Sequence, residues 1–218
     1  RAMNAGTISC HGCVAMNRTE PAVPRILLAS RSPRRRAFLT ESGLAHDAIH
    51  PGFDDSVLQP GGVSPDRWVA ALAYLKAWAG VALREPGHGP LVIGSDTTCI
   101  KDGMMIGTPH DAAEAGAMIR RLRSGRHEVV TGVAIIDVRT GERHICTDRA
   151  LVTVGDIPDA EIDRYVGGDE WRGKAGAYNL RERITAGWPM TFSGDETTIM
   201  GLPMLRLLEL LNRLPVPA

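Results

Sequence analysis

Short apolar blocks, separated by breaks rich in proline and glycine, divide the chain into alternating strand and helix segments. Arg25-Ile26-Leu27-Leu28-Ala29 has the composition of a buried strand. Ser32-Pro33 then supplies a cap and a first helical residue for a helix running to about Ser42, with Gly43 as its stop. A second extended stretch is expected near Ala45 to His50, and Pro51 to Gly62 reads as an irregular loop carrying Asp54 and Asp55. Ser64-Pro65 opens a further helix in which Trp68, Leu72, Leu75 and Ala79 form an apolar stripe with Lys76 beside it.

Leu91 to Ile100 is rich in β-branched residues and predicts a central strand interrupted by Asp96, with Lys101-Asp102-Gly103 turning the chain into Met104-Met105-Ile106. Asp111 and Glu114 have capping-box spacing before a helix that buries Ala115, Met118, Ile119 and Leu122 and ends near Gly125. Glu128 to Val138 and Arg143 to Val154 read as two long strands joined across Thr140-Gly141, followed by a short helix over Pro158 to Val166 and a Gly-rich segment. Pro203 to Leu211 predicts a C-terminal helix. Helices and strands alternate without a strict βαβ cadence, so the expected class is α/β, a mixed twisted sheet flanked by helices. Residues 1–24 show no period and are read as a flexible N-terminal extension, with residues 25–214 as a single domain.

Composition narrows the class. The 218 residues are 44% hydrophobic and 23% charged, which suits a folded chain with a real core. Lysine plus arginine equals aspartate plus glutamate at 25 each, so there is no global field to hold a nucleic acid polymer, and any phosphate site must be local. No run approaches the roughly 18 apolar residues of a membrane helix, and no signal-peptide core opens the sequence, so a cytoplasmic protein is expected. Cys10, Cys13, Cys99 and Cys146 are too scattered for a disulfide framework. Cys10-His11-Gly12-Cys13 lacks the second ligand pair that a zinc site needs, and the sequon at Asn17 means little without secretion.

Two features carry chemistry. Between Ser30 and Arg36, two hydroxyls and four arginines crowd a strand-to-helix junction, where free N–H groups and the helix dipole favour a phosphate and guanidinium forks add paired hydrogen bonds. The plainer alternative is that Ser32 only caps the helix while the arginines are solvated. Asp96 lies inside an apolar strand beside Ser95, Thr97 and Thr98, so it must be satisfied by those hydroxyls or hold a cation, position water or accept a proton. Asp54 and Asp55 could add hard oxygen ligands for the same ion, and Lys76 and Lys174 are candidate phosphate partners. Two look-alikes fail. Gly168 to Ala175 has Walker-type spacing without its hydroxyl residue or a preceding strand, and His127-Glu128 has Thr131 where a zincin needs histidine.

Taken in order, Leu28-Ala29-Ser30-Arg31-Ser32-Pro33-Arg34-Arg35, Leu72-Ala73 with Lys76-Ala77, Gly94-Ser95-Asp96-Thr97, Gly107-Thr108-Pro109, Thr131-Gly132-Val133, Lys174-Ala175-Gly176-Ala177-Tyr178 and Gly201-Leu202-Pro203 make the chain resemble the Maf-type nucleotide pyrophosphatases. The resemblance runs from about Arg25 to Leu211 and implies a two-lobed fold, like that of inosine triphosphatases, with a cleft between the lobes. It further implies hydrolysis of nucleoside triphosphates, pyrimidine or modified ones first, to monophosphate and pyrophosphate, assisted by Mg²⁺ or Mn²⁺ and carried out by a homodimer. Asp96 matches the family's proton acceptor, and Asp55 and Asp96 remain the candidate metal ligands from the reading of the residues. Arg34, Thr97 and the position of Arg181 match places linked to substrate choice, and Ser30, Ser32, Arg35, Lys76 and Lys174 join them as candidate substrate-binding residues from the anion-site reading above. Three residues depart from the pattern: Thr108 stands where lysine is usual, Arg181 where glutamine is usual, and Asp55 where glutamate is usual. Thr108 and Arg181 motivate the alternative of a catalytically weakened nucleotide-binding or regulatory protein, of the septum-related kind once ascribed to the family.

Overall fold

The computed structural model describes residues 23–55 and 57–214. The segment holding Cys10, Cys13 and the Asn17 sequon, and with it most of the expected N-terminal extension, lies outside them. Seven strands form one mixed sheet: β1 (Ile26–Ala29), β2 (His46–Ile49), β3 (Leu91–Lys101), β4 (Met104–Ile106), β5 (Gly125–Asp137), β6 (Arg143–Val154) and β7 (Met190–Ser193). Their order is β2-β1-β3-β5-β6-β7, with β4 paired to the far end of β3. β1 runs parallel to both β2 and β3, and the remaining pairings are antiparallel. The expected mixed α/β class is what is found.

One helix, α2 (Pro65–Ala82), covers one face of the sheet, packing on β1, β3 and β5. The other face is buried by α1 (Pro33–Glu41), α3 (Ala112–Leu122), α4 (Asp159–Val166), α5 (Leu180–Thr185) and α7 (Met204–Leu211), with α6 (Glu196–Ile199) leading into α7. Trp171 and Tyr178 complete this larger core. The short elements α5, β7 and α6 occupy a stretch whose sequence carries no clear period. Asp102 and Gly103 both have positive φ, as the tight β3–β4 turn requires.

The expected stripe on α2 needs correction. The residues buried against the sheet are Val69, Leu72, Ala73, Ala77 and Gly80, whereas Trp68, Leu75 and Ala79 are only half-buried. The reason is the sheet surface beneath. Gly94 on β3 and Gly132 on β5 let the helix backbone settle onto the strands, so small residues of α2 face inward. A Cβ on Gly94 would stand 2.5 Å from the Ala77 nitrogen, and one on Gly132 would stand 2.5 Å from the Val69 carbonyl oxygen.

Gly94→Ala is therefore expected to lift α2 from the sheet and cost about 3 kcal/mol of stability, a large overpacking penalty because the obstacle is backbone. Urea unfolding measures it; a midpoint equal to that of the unaltered protein would show that the helix can shift freely.

Candidate active site

β1 pairs with β3 only at Leu91, Val92 and Ile93, and β4 joins β3 only from Cys99 onward. Between these two partners the edge of β3 from Gly94 to Thr98 is left open, and there the chain leaves β1 through Ser30 and Arg31 into the N-terminus of α1. The result is a cleft of about 940 Å³ whose lining includes Ser30 to Arg35, Asp55, Trp68, Leu72, Lys76, Gly107, Thr108, Arg172, Tyr178 and Asn179. Asp96, Thr97 and Gly201 form its floor. A cleft at the carboxyl end of a parallel strand, facing a helix N-terminus, is a favoured place for a phosphate group.

Ser32 caps α1 by accepting from the Arg35 backbone N–H, and its own N–H donates to Ser30 Oγ at 3.2 Å. The two neighbouring arginines then divide. Arg35 is turned inward, donating Nε to the Gly201 carbonyl at 2.6 Å, Nη1 to Ser30 Oγ at 3.2 Å and Nη2 to Thr97 Oγ1 at 3.5 Å. Burial pulls its pKa down to about 10, with Asp96 the leading charge that offsets this. Arg34 lines the cleft half-buried and makes no hydrogen bond or ion pair among the described residues. Burial lowers its pKa too, opposed mainly by Glu182.

Asp96 is not satisfied by its neighbours in sequence. Ser95 and Thr97 point to the opposite face of β3, where Ser95 Oγ hydrogen-bonds to the carbonyls of Gly132 and Gly201. Thr131 donates its hydroxyl to the Thr198 carbonyl, so at 2.9 Å Thr97 must donate to Thr131, leaving Thr97's lone pairs free for Arg35. Thr98 hydrogen-bonds to the Ile106 carbonyl. The partner of Asp96 is Lys76, whose Nζ lies 2.6 Å from Asp96 Oδ1 and 2.7 Å from Asp55 Oδ2.

Asp55, Asp96 and the ammonium between them are thus a cation site already built from protein. Two carboxylates suit a Mg²⁺ or Mn²⁺ ion that keeps waters and takes further oxygens from a phosphorylated substrate. Among the described residues no group of three or more His, Cys, Asp or Glu side chains is gathered to hold a metal ion.

Of the residues expected from sequence, Ser30, Ser32, Arg34, Arg35, Asp55, Lys76, Asp96 and Thr97 come together around this cleft. Lys174 and Arg181 are not on its wall. Lys174 is buried and paired with Glu182, its pKa lowered chiefly by burial. Arg181 turns outward onto Glu196, at 2.8 and 2.9 Å, and over the Phe38 ring. Sequence reasoning assigned Trp68 and Leu72 to the core, which holds for Leu72, but missed that both also line the cleft, although their four-residue steps to Lys76 put all three on one line of the helix. It named Gly201 in the Gly201-Leu202-Pro203 match but missed its role, a carbonyl that joins Arg35 to Ser95.

Beneath the cleft, His127 Nε2 lies 2.7 Å from the hydroxyl of Tyr178, both buried. Burial, with a smaller contribution from Lys101, pulls the His127 pKa down to about 4. Cys99, raised to about 12 by burial, is an unreactive thiol. The Walker-type stretch ends in the 3₁₀ turn Ala175–Ala177 rather than opening an α-helix, consistent with its rejection.

Residues 25–214 match the family described as Maf-like protein. A dTTP/UTP pyrophosphatase of Pelotomaculum thermopropionicum is 37% identical over 188 residues, covering 86% of this chain and 95% of that protein. One of Dechloromonas aromatica is 38% identical over 200 residues, covering 87% and 97%. One of Shewanella frigidimarina is 34% identical over 190 residues, covering 85% and 95%. Among solved structures, the Staphylococcus aureus Ham1 protein aligns with a TM-score of 0.40 at 16% identity, covering 60% of this chain and 71% of that one.

The His127–Tyr178 pair generates a pH prediction. Unfolded, the imidazole titrates near 6.5, and folded it titrates near 4, so between those values the unfolded chain binds more protons and stability falls as pH falls. About 2 kcal/mol should be lost from this group between pH 7 and pH 5. His127→Gln, which keeps a hydrogen-bonding group but does not titrate, should lose correspondingly less over the same interval. Parallel urea-unfolding curves for the two proteins at both pH values would contradict this.

Proposed function

The chain belongs to the Maf-like protein family, and from that premise we propose that it hydrolyses nucleoside triphosphates to the monophosphate and pyrophosphate, with UTP and dTTP, the substrates in its relatives' names, preferred. The observation that carries the reading is the clustering in one cleft of an uncommitted arginine, Arg34, with the Asp55–Lys76–Asp96 trio. Ser30, Ser32 and the first turn of α1 would receive the phosphates, and Arg34 would neutralise them by paired hydrogen bonds. Arg35 keeps those groups in place from behind and adds positive charge without leaving its carbonyl partner. Asp55 and Asp96 would hold Mg²⁺ or Mn²⁺, which when bound supplies charge neutralisation on the triphosphate.

Water attacks the α-phosphorus. The new P–O bond forms as the bond to the bridging oxygen breaks, pyrophosphate leaves, and the proton of the attacking water passes to Asp96. Trp68 and Leu72, on the same helix line as Lys76, give the cleft an apolar wall that would exclude other water from the reacting group.

A panel of natural and modified nucleotides, assayed for pyrophosphate with Mg²⁺ or Mn²⁺, tests the proposal. Release from UTP and dTTP at least roughly tenfold faster than from purine triphosphates is expected. Asp96→Asn should lower turnover by about 100- to 10,000-fold, the range for losing a positioned proton acceptor. Undiminished turnover would remove Asp96 from the mechanism. Tight binding across the panel without product, measured by calorimetry, would favour the binding or regulatory reading suggested by Thr108 and Arg181.

A further inference from the structure

Lys76 does not extend freely into the cleft. Its side chain is 17% exposed, and its Nζ lies within 2.7 Å of both Asp55 and Asp96. These acids are also the charges that offset the burial of Arg35. They are therefore already engaged by cations before any ligand arrives. A divalent ion entering the nucleotide-free cleft would compete with the ammonium for the same oxygens and would leave that ammonium close to a doubly charged neighbour, with Arg34 and Arg35 nearby. Two carboxylates and one ammonium sum to one negative charge; adding a divalent ion alone reverses the sign to one positive charge. A triphosphate removes the conflict, because its oxygens give the displaced ammonium a partner and complete the metal's coordination.

Resting on the activity proposed above, we propose that Lys76 is a resident counter-ion that keeps divalent metal out of the nucleotide-free cleft, so that metal enters only together with the triphosphate. On its arrival the phosphates draw Lys76 off Asp55 and Asp96, and the two carboxylates become available at the moment the reaction needs them. Lys76 is then both a gate for the metal and a phosphate contact, alternating between two sets of anions.

Mn²⁺ binding, followed by the loss of the free-ion paramagnetic resonance signal, tests this without turnover. Free wild-type protein should bind Mn²⁺ at least about tenfold more weakly than Lys76→Gln, in which the competing charge is removed. The gain should disappear in Lys76→Gln combined with Asp96→Asn. With a non-hydrolysable α,β-methylene UTP present, the wild type should take up Mn²⁺ as a ternary complex. Equal Mn²⁺ affinity in the free wild type and Lys76→Gln would overturn the gate while leaving the hydrolytic reading standing. No Mn²⁺ uptake by any protein, even with the nucleotide, would overturn the gate together with metal assistance, whereas the hydrolytic reading itself is judged separately by pyrophosphate release. Should Lys76→Gln fail to fold, the ¹³C resonance of the Lys76 ε-methylene in wild-type protein decides. It should move when Mg²⁺ and the nucleotide are added together, and movement with Mg²⁺ alone would overturn the proposal.

Discussion

A carboxylate placed in the middle of a core strand is expensive to bury unless a charge of opposite sign comes within hydrogen-bonding reach. Asp96 is such a carboxylate, and the ion pair with Lys76 constrains much of what surrounds it. Lys76 reaches Asp96 from a helix that lies close on the sheet, and α2 can lie close because Gly94 and Gly132 present no side chains to its backbone. Gly94 is two residues before Asp96 on the same strand face, and Gly132 is the partner of Asp96 across the β3–β5 ladder. Two glycines that pack a helix and one lysine that neutralises an acid are therefore parts of a single arrangement. Disturbing the packing would move the charge.

The same strand serves two chemistries because alternate residues face opposite ways. Asp96 meets α2, while Ser95 and Thr97 meet Gly201 and Thr131 on the other face. Both faces contribute to one cleft only because β3 has no neighbour on one edge between the end of β1 and the start of β4. Arg35 closes this gap from the far side, linking the α1 turn to the segment before α7 through the Gly201 carbonyl. The left-handed φ of +102° at Gly201, together with Thr97 and Arg35 at 3.3 to 3.4 Å from where a Cβ would lie, explains why glycine occupies the position.

Much of this was legible in the sequence where a local rule applied. The strand–turn–helix at Ser30 to Arg35, the Asp96 strand and the capped α3 each follow from a short run of residues, and the structure has each of them. What failed depended on distant parts of the chain. The inward face of α2 was misplaced because alanines and a glycine, not the bulkiest apolar residues, fit against Gly94 and Gly132. For Asp96 the sequence leaves adjacent hydroxyls and a cation as alternatives, and alternation along the strand with a lysine twenty residues away selects the cation. The segment holding α5, β7 and α6 owes its form to tertiary contacts such as Arg183 over Tyr165 and Trp188, which no local period signals.

With equal numbers of acidic and basic residues, attraction for a triphosphate depends on which cations are left uncommitted. Arg35 is held by a carbonyl and two hydroxyls, Lys174 by Glu182, Arg181 by Glu196 and Arg183 by Glu170. Arg34, beside the N-terminus of α1, has no such partner among the described residues, so an anion can meet it without breaking an existing bond. Lys76 differs, since it can meet an anion only by giving up two carboxylates. On the proposed exchange, the rearrangement on binding would be concentrated in one switch of ionic partners, on a helix packed closely against the sheet. On that proposal, a substrate that brings both an anion for Lys76 and a cation for Asp55 and Asp96 would restore every charge balance at once, whereas a bare phosphate or a bare metal ion would restore only half of it.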